Sequence, residues 1–311
     1  VTLEQQLKQQ TIATLDDKLL ASAKEKGFSD RTIASLIQAP EADVRKLRLE
    51  VGVKAAYKYV DTCAAEFEAR TNYFYSTYFG ENEQPTLSNK KKILIIGSGP
   101  IRIGQGIEFD YSAVHGIKAL KQLGYEAIMI NNNPETVSTD FETADRLYFE
   151  PITLEHVLNI VDSEKIDSVI VQYGGQTAIN LAEQLEAAGV TLLGTDTNTL
   201  DWLEDRDKFY QLLDELSIPH AVGLTANNAD EAVKGANEIG YPVLLRPSYV
   251  IGGKGMVVVH NEETLTQLLS ESVNMIYPVL IDQFVQGLEG EIDLISDGKE
   301  AFIHTHIEHV E

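Results

Sequence analysis

The sequence predicts an α/β protein in three parts: a helical segment, a doubly wound parallel α/β unit, and an α+β unit. Three observations carry that expectation. Between about residues 15 and 83, apolar positions recur at helical spacing, and glycine is sparse before Gly80. At Ile93 the pattern changes to short apolar runs alternating with amphipathic stretches, as strands buried on both faces require. Beyond Asp205 short strands follow one another across glycine turns, which suits antiparallel pairing.

In the first part, Leu19, Leu20 and Ala23 share a helical face, as do Ile33, Leu36 and Ile37. Ser29-Asp30 offers an N-cap before Arg31-Thr32-Ile33, and Pro40-Glu41-Ala42-Asp43 opens a helix before Val44 and Leu47. Residues 81–92, with Pro85, Ser88 and three lysines, read as a linker. In the second part the expected strands are Ile93-Leu94-Ile95-Ile96, Ala127-Ile128-Met129-Ile130, Val169-Ile170-Val171 and the closing Thr191-Leu192-Leu193. Helices are expected over 108–123, 154–161 and 177–188, the first ended by Gly124 and the last by Gly189. In the third part, helices are expected over 207–216, from the Asn228 cap to Ile239, and over 262–272. Strands are expected over 221–224, 243–246, 256–259, 279–284, 291–295 and 301–307, with Asp297-Gly298 as a hairpin signal.

Composition narrows the function. The chain has 311 residues and a net charge of -23. So acidic a surface repels nucleic-acid phosphates, and no nucleic-acid partner is expected. It does not oppose ATP, because a few local Arg and Lys residues suffice to hold a triphosphate. The one cysteine, Cys63, gives no intrachain disulfide, and within Val60-Asp61-Thr62-Cys63-Ala64-Ala65 it reads as a buried small hydrophobe. No run approaches the roughly 18 apolar residues of a membrane span. The polar stretch Gln5 to Gln10 is not a signal peptide. A cytoplasmic protein without a membrane partner is the expectation. The chain starts at Val1 and stops mid-pattern at Glu311, so both ends read as cut edges.

Several motifs carry possible chemistry. Gly97-Ser98-Gly99-Pro100-Ile101-Arg102-Ile103-Gly104 follows a strand, but its spacing is not that of a dinucleotide fingerprint, and a strand-to-helix turn explains it better. Tyr173-Gly174-Gly175-Gln176 follows another strand, where open α/β sheets bind ligands, yet by itself reads as a tight turn. Arg246-Pro247-Ser248-Tyr249-Val250-Ile251-Gly252-Gly253-Lys254-Gly255 lies between two strands. Glycines there let backbone N–H groups approach phosphate, Arg246 adds a forked donor, and Lys254 adds a mobile charge. Leu280-Ile281-Asp282-Gln283-Phe284-Val285, with Glu289 and Glu291 beyond, has the makings of an adenine-binding strand followed by a ribose carboxylate. His304, His306 and His309 cluster, but no third ligand is well placed, and ordinary strand histidines are the better reading.

These motifs in this order resemble one family, the large subunit of carbamoyl phosphate synthetase, an ATP-grasp enzyme with two homologous halves. Four runs carry the resemblance. Tyr57-Lys58-Tyr59-Val60-Asp61-Thr62-Cys63-Ala64-Ala65-Glu66-Phe67 looks like the end of the family's helical oligomerisation domain. Ile103-Gly104-Gln105-Gly106-Ile107-Glu108-Phe109-Asp110-Tyr111 looks like the opening of a pre-ATP-grasp domain. Asn133-Pro134-Glu135-Thr136-Val137-Ser138-Thr139-Asp140 resembles the second half, and 246–253 resembles the phosphate flap. The resemblance implies a helical oligomerisation domain over 1–84, a pre-ATP-grasp α/β domain over 91–200 and a truncated α+β ATP-grasp subdomain over 201–311.

The resemblance also implies function. The intact second half would phosphorylate carbamate with ATP and Mg or Mn, for arginine and pyrimidine biosynthesis, with a glutaminase small subunit supplying ammonia and the helical domain mediating self-association. Carried over by position, Arg206 and Arg246 match nucleotide-phosphate arginines, and Gly252 and Gly253, with Lys254 beside them, match the flap. Gln283 and Val285 match adenine-side positions, and Glu289 matches the ribose carboxylate, with Glu291 as its alternative. The family's metal-binding acid and amide fall beyond Glu311, so no catalytic set is complete, no metal is expected here, and the fragment is expected to be inactive. Two other readings are a non-catalytic association module and another ATP-grasp ligase such as a biotin-dependent carboxylase. The second does not fit the segments 57–67 and 133–140.

Overall fold

A computed structural model describes residues 2–68, 71–85, 88–102, 105–247, 256–271 and 277–310. The chain divides into two compact units, Val1–Asp205 and Arg206–Glu311.

The first unit opens with helices α1 (Thr2–Leu7), α2 (Asp17–Glu25), α3 (Asp30–Ile37) and α4 (Glu41–Glu50). Their apolar faces meet in one core containing Leu7, Leu20, Ile33, Ile37 and Val44. Asp16 caps α2 by accepting from the backbone N–H groups of Lys18 and Leu19, and Ser29 caps α3 by accepting from Thr32.

The expectation of helix as far as residue 83 fails beyond Glu50. Ala56–Tyr59 and Tyr73–Thr77 are strands, β1 and β2, paired antiparallel. The reason lies in the aromatic residues. Tyr57 and Phe74 are each 1% exposed and pack on Tyr148, with ring centroids 4.9 and 5.4 Å away. Short runs of aromatic and β-branched residues fit a pleated, half-buried surface better than a helix. Cys63 lies in the connection between these strands and is half-exposed, so the expectation of a buried cysteine also fails.

Strands β3 (Lys92–Ile96), β4 (Glu126–Asn131), β5 (Arg146–Phe149), β6 (Ser168–Ile170) and β7 (Leu192–Leu193) complete a seven-stranded sheet in the order β1-β2-β5-β4-β3-β6-β7. Every pairing except β1 with β2 is parallel. Alternate residues of β3 and β4 feed two cores. Ile93, Ile95, Ala127 and Met129 meet Ala113, Ile117 and Leu120 of α5 (Glu108–Gln122). Leu94, Ile96, Ile128 and Ile130 meet α6 (Leu154–Glu164), α7 (Gly175–Ile179) and α8 (Ala182–Ala187). The single helix expected over 177–188 is thus two short ones. Strand β5 and helix α9 (Thr197–Glu204) add to the elements that the sequence predicts.

A buried ionic junction ties α2, α3 and α4 to α6. Lys24 Nζ lies 2.9 Å from Asp30 and 2.5 Å from Glu155. The Arg48 guanidinium donates to Asp30, to Asn159 Oδ1 at 3.1 Å and to the Val53 carbonyl at 3.0 Å. The Tyr78 hydroxyl donates to Glu155 at 2.9 Å. Two positive and two negative side chains thus satisfy one another out of water, which is the condition for burying them at all. Next to this junction, Glu150 is 3% exposed and accepts from the Ser76 backbone N–H. Burial pushes its carboxyl up to about 7. His156 stands 3.5 Å away, and burial lowers its affinity for a proton.

The second unit begins with α10 (Arg206–Glu215). Its sheet runs β10-β9-β11-β8, with β8 Gly223–Ala226, β9 Val243–Pro247, β10 Val257–Val259 and β11 Val279–Gln283, all antiparallel. Helices α11 (Ala229–Ile239) and α12 (Glu262–Glu271) pack on it over a core of Ala232, Ala236, Val243, Leu245, Leu265, Val279 and Ile281. Asn228 caps α11 as expected, accepting from the Glu231 N–H. Strands β12 (Gly290–Ser296) and β13 (Ala301–Glu308) form a hairpin turned at Gly298, where φ is +85°.

Candidate functional site

Two sets of residues were candidates: the glycine turns of the first sheet and the strand-borne charges of the second. The glycine turns are explained by packing. A Cβ on Gly97 would stand 2.6 Å from Asn131 Nδ2. Asn131 is 1% exposed and its Oδ1 accepts from the backbone N–H groups of Gly99 and Asn133 at 3.1 and 3.2 Å. It acts as an internal peg for both loops. Gly174 packs against the Gly97 carbonyl, where a Cβ would stand 2.7 Å from the oxygen. Helix α5 starts only at Glu108, with no side-chain cap, so the turn does not deliver a helix N-terminus close behind it.

The second sheet separates its faces sharply. Val243, Leu245, Val279 and Ile281 point into the core and are at most 1% exposed. Residues one step along the strands point to the other face, because side chains alternate with a period of two. Antiparallel register sets Arg246 opposite Leu280 and Leu244 opposite Asp282. Arg246 and Asp282 are therefore diagonal neighbours, with Arg246 Nη1 3.4 Å from Asp282 Oδ2. The Asp282 side chain is 9% exposed and that of Arg246 is 46% exposed. A largely buried carboxylate thus lies against one nitrogen of a half-exposed arginine. From the sequence, Asp282 is one residue of the run Leu280 to Val285 and carries no role of its own. The signal was an acid on an apolar strand, and its partner is 36 residues away.

The remaining candidates fall as follows. Arg206 is the first residue of α10. Gly252, Gly253 and Lys254 lie outside the described residues. Gln283 ends β11, and its backbone N–H is already used by the Val222 carbonyl at 2.7 Å. Val285 is 66% exposed beyond the strand, and its backbone makes no hydrogen bond among the described residues. Glu289 and Glu291 both face His309: its Nε2 is 3.3 Å from Glu291 and its Nδ1 3.9 Å from Glu289. The geometry does not choose between them. His304 and His306 sit on β13, both exposed.

Comparison with known proteins gives this arrangement a context. Residues 1–52 match the family model for the carbamoyl-phosphate synthetase large chain oligomerisation domain. Residues 89–202 match the carbamoyl phosphate synthase preATP-grasp domain, and 205–309 the carbamoyl-phosphate synthase L chain ATP binding domain. The chain is 65% identical over 298 residues to the arginine-specific carbamoyl phosphate synthase large chain of Bacillus subtilis, covering 96% of this chain and 29% of that one. It is 58% identical over 311 residues to the same protein of Geobacillus stearothermophilus, covering 100% of this chain and 30% of that one. The chain belongs to the carbamoyl phosphate synthase large-chain family.

It spans about 30% of the length of these family members. Among solved structures, the biotin carboxylase domain of Hydrogenobacter thermophilus 2-oxoglutarate carboxylase aligns with a TM-score of 0.54 at 21% identity, covering 70% of this chain and 50% of that one. At that identity the likeness is one of fold, and it leaves the family assignment unchanged. Strands β1 and β2 lie between the first two matched ranges, which agrees with their place in the sheet rather than in the helical segment. No helix among the described residues is long and apolar enough to cross a membrane.

Proposed function

We propose that the second unit carries part of the ATP site of an ATP-dependent ligase, a carbamoyl phosphate synthase large chain whose intact second half phosphorylates carbamate. The observation that supports this most is the Arg246–Asp282 pair on the face of β9 and β11 away from the core. Asp282 fixes the guanidinium against the sheet. The outward donors then form a forked, charged grip for nucleotide phosphate, next to the glycine-rich segment 248–255. The backbone at Val285, which makes no hydrogen bond among the described residues, suits the edge of an adenine ring, and Glu289 or Glu291 would accept from ribose hydroxyls. Arg206, Gly252, Gly253, Lys254 and Gln283 complete the proposed set.

Divalent metal ions would neutralise charge as a phosphoryl group moves. Among the described residues no group of three or more His, Cys, Asp or Glu side chains is arranged to hold one. No step here runs through a metal. We propose that this chain alone does not turn over ATP. In the full-length protein, service to arginine and pyrimidine synthesis and ammonia from a glutaminase small subunit belong to the same proposal.

The test is Arg246→Ala in a full-length large chain. Formation of ATP from carbamoyl phosphate and ADP should fall sharply, while bicarbonate-dependent ATP hydrolysis by the other half should fall much less. Equal loss of both would overturn the assignment of Arg246 to the second site.

We also infer that helices α1–α4 mediate self-association, a reading supported by the family match over 1–52. Light scattering on the 311-residue chain tests it. A monomer at all concentrations would overturn it.

A further inference from the structure

None of the described residues of α10 is buried. A helix with so little packing is placed largely by the contacts at its ends. Its last turn holds Asp214 and Glu215 and no base, although a helix C-terminus favours a cation. Ser217, with φ +56°, turns the chain back, and the Ile218 N–H donates to the Leu213 carbonyl at 2.8 Å. That return brings His220 against the helix end.

His220 Nε2 lies 3.1 Å from Asp214 Oδ1, and its Nδ1 lies 3.1 Å from the Ala221 carbonyl oxygen. From α10, Asp214 is the charged group that faces the imidazole, and the Tyr210 ring stacks on it with centroids 4.5 Å apart. Both ring nitrogens therefore point at acceptor oxygens. A neutral imidazole has one N–H and would set its other lone pair against an oxygen. The imidazolium donates to both and supplies the cation that the helix end lacks. The Asp214 carboxylate first, and then the Ala221 carbonyl, raise the proton affinity of His220 above its ordinary value.

We propose that His220 is a positioning residue for nucleotide phosphate: its imidazolium clamps the last turn of α10 to the segment entering β8, and so fixes the lie of the helix whose first residue is Arg206. This rests on the assignment of Arg206 to nucleotide phosphate made above. A helix of 10 residues is a rod about 15 Å long, so slack at one end displaces the other. The clamp is complete while the imidazole is protonated. As pH rises through the His220 value one of its two donors is lost, and the clamp loosens.

The experiment measures KM for ADP in the formation of ATP from carbamoyl phosphate by the full-length large chain, from about pH 6 to about pH 9, a span that brackets histidine titration. The variants are His220→Gln, Asp214→Asn and Arg206→Ala. Glutamine keeps one donor, as a neutral imidazole does. His220→Gln should raise KM about two- to fivefold at the acid end, the size of an exposed ion pair, with kcat unchanged, and should match the parent at the alkaline end. Asp214→Asn removes the charge that holds the proton and should move the parent's transition in KM to lower pH. A ratio of variant to parent KM that is independent of pH, or a transition unmoved by Asp214→Asn, would overturn the clamp. Arg206→Ala separates the two readings. A raised KM in Arg206→Ala with no effect of His220→Gln at any pH would overturn the clamp and leave Arg206 at the nucleotide. An unchanged KM in Arg206→Ala would overturn the assignment of Arg206, and with it the link from the clamp to the nucleotide.

Discussion

Arg48 in the first unit and Arg246 in the second are both arginines paired with a buried aspartate, and they are used differently. Arg48 is fully buried, and its guanidinium is taken up by Asp30, Asn159 and the Val53 carbonyl. Arg246 has Asp282 as its side-chain partner among the described residues, and its side chain is half-exposed. A saturated cation can only hold structure, because any ligand would have to displace partners already in place. An anchored but unsaturated cation can accept a ligand with little reorganisation.

The largest expected effect breaks the saturated side. Arg48→Met leaves Asp30 with Lys24 alone and should cost about 3–5 kcal/mol of stability, the range for breaking a buried pair. Denaturant unfolding would measure it, and a loss below about 1 kcal/mol, the level of an exposed pair, would show the junction to be ornamental.

Glu150 sharpens the comparison from within the first unit, because it is a buried acid without a full counter-charge. Its carboxyl is raised to about 7 from an ordinary 4.5. A raised folded value means that its stabilising contribution is present below about 4.5 and is lost as pH rises through about 7. Glu150→Gln keeps an acceptor for the Ser76 N–H and removes the ionisation. The variant should gain on the parent by roughly 2–3 kcal/mol at pH 8, and the gap should close near pH 5. A gap independent of pH would remove Glu150 as its source. His156 runs the other way, losing stability as pH falls, and because it stands 3.5 Å from Glu150 the parent and the variant are compared at pH 8, where the imidazole is neutral.

Arg246→Ala should leave unfolding within about 0.5 kcal/mol of the parent while costing nucleotide binding roughly 1.5–3 kcal/mol. Calorimetry with ADP on the full-length chain and a melting curve test both halves of that statement. The opposite pattern, a large stability loss with binding intact, would move Arg246 to the saturated class. The smallest effect belongs to Asp162→Ala. Its side chain is 57% exposed in the pair with Arg45, and thermal melting should register a loss of about 0–1 kcal/mol.

The sequence made some of this legible and hid the rest for physical reasons. Strands β3 and β4 are buried on both faces, so they appear as apolar runs, and β6 shows as the short run Val169-Ile170. The cap at Asn228 and the turn at Gly298 follow from local backbone chemistry and were readable. Strands β1, β2 and β5 mix Tyr, Lys, Ser and Arg, and only their neighbours in the sheet make them strands. The ionic junction joins Lys24 to Glu155 across 131 positions, a distance at which no local pattern operates. Asp282 was visible as a letter but not as a partner, because antiparallel register supplies the contact with Arg246. The glycine-rich run 248–255, expected to form a phosphate flap, lies outside the described residues.

The position of β1 and β2 bears on how the protein can be cut. A boundary near residue 82, natural if everything before it were helical, would strip two strands from one end of the seven-stranded sheet and expose the flank of β5. It would also leave Glu155 without Lys24 or Tyr78, and Asn159 without Arg48. A piece trimmed there should be recovered as aggregate rather than as a tidy monomer, and its behaviour would say nothing about how copies of the whole chain meet. The helices and the sheet they lean on are better produced together and altered one side chain at a time.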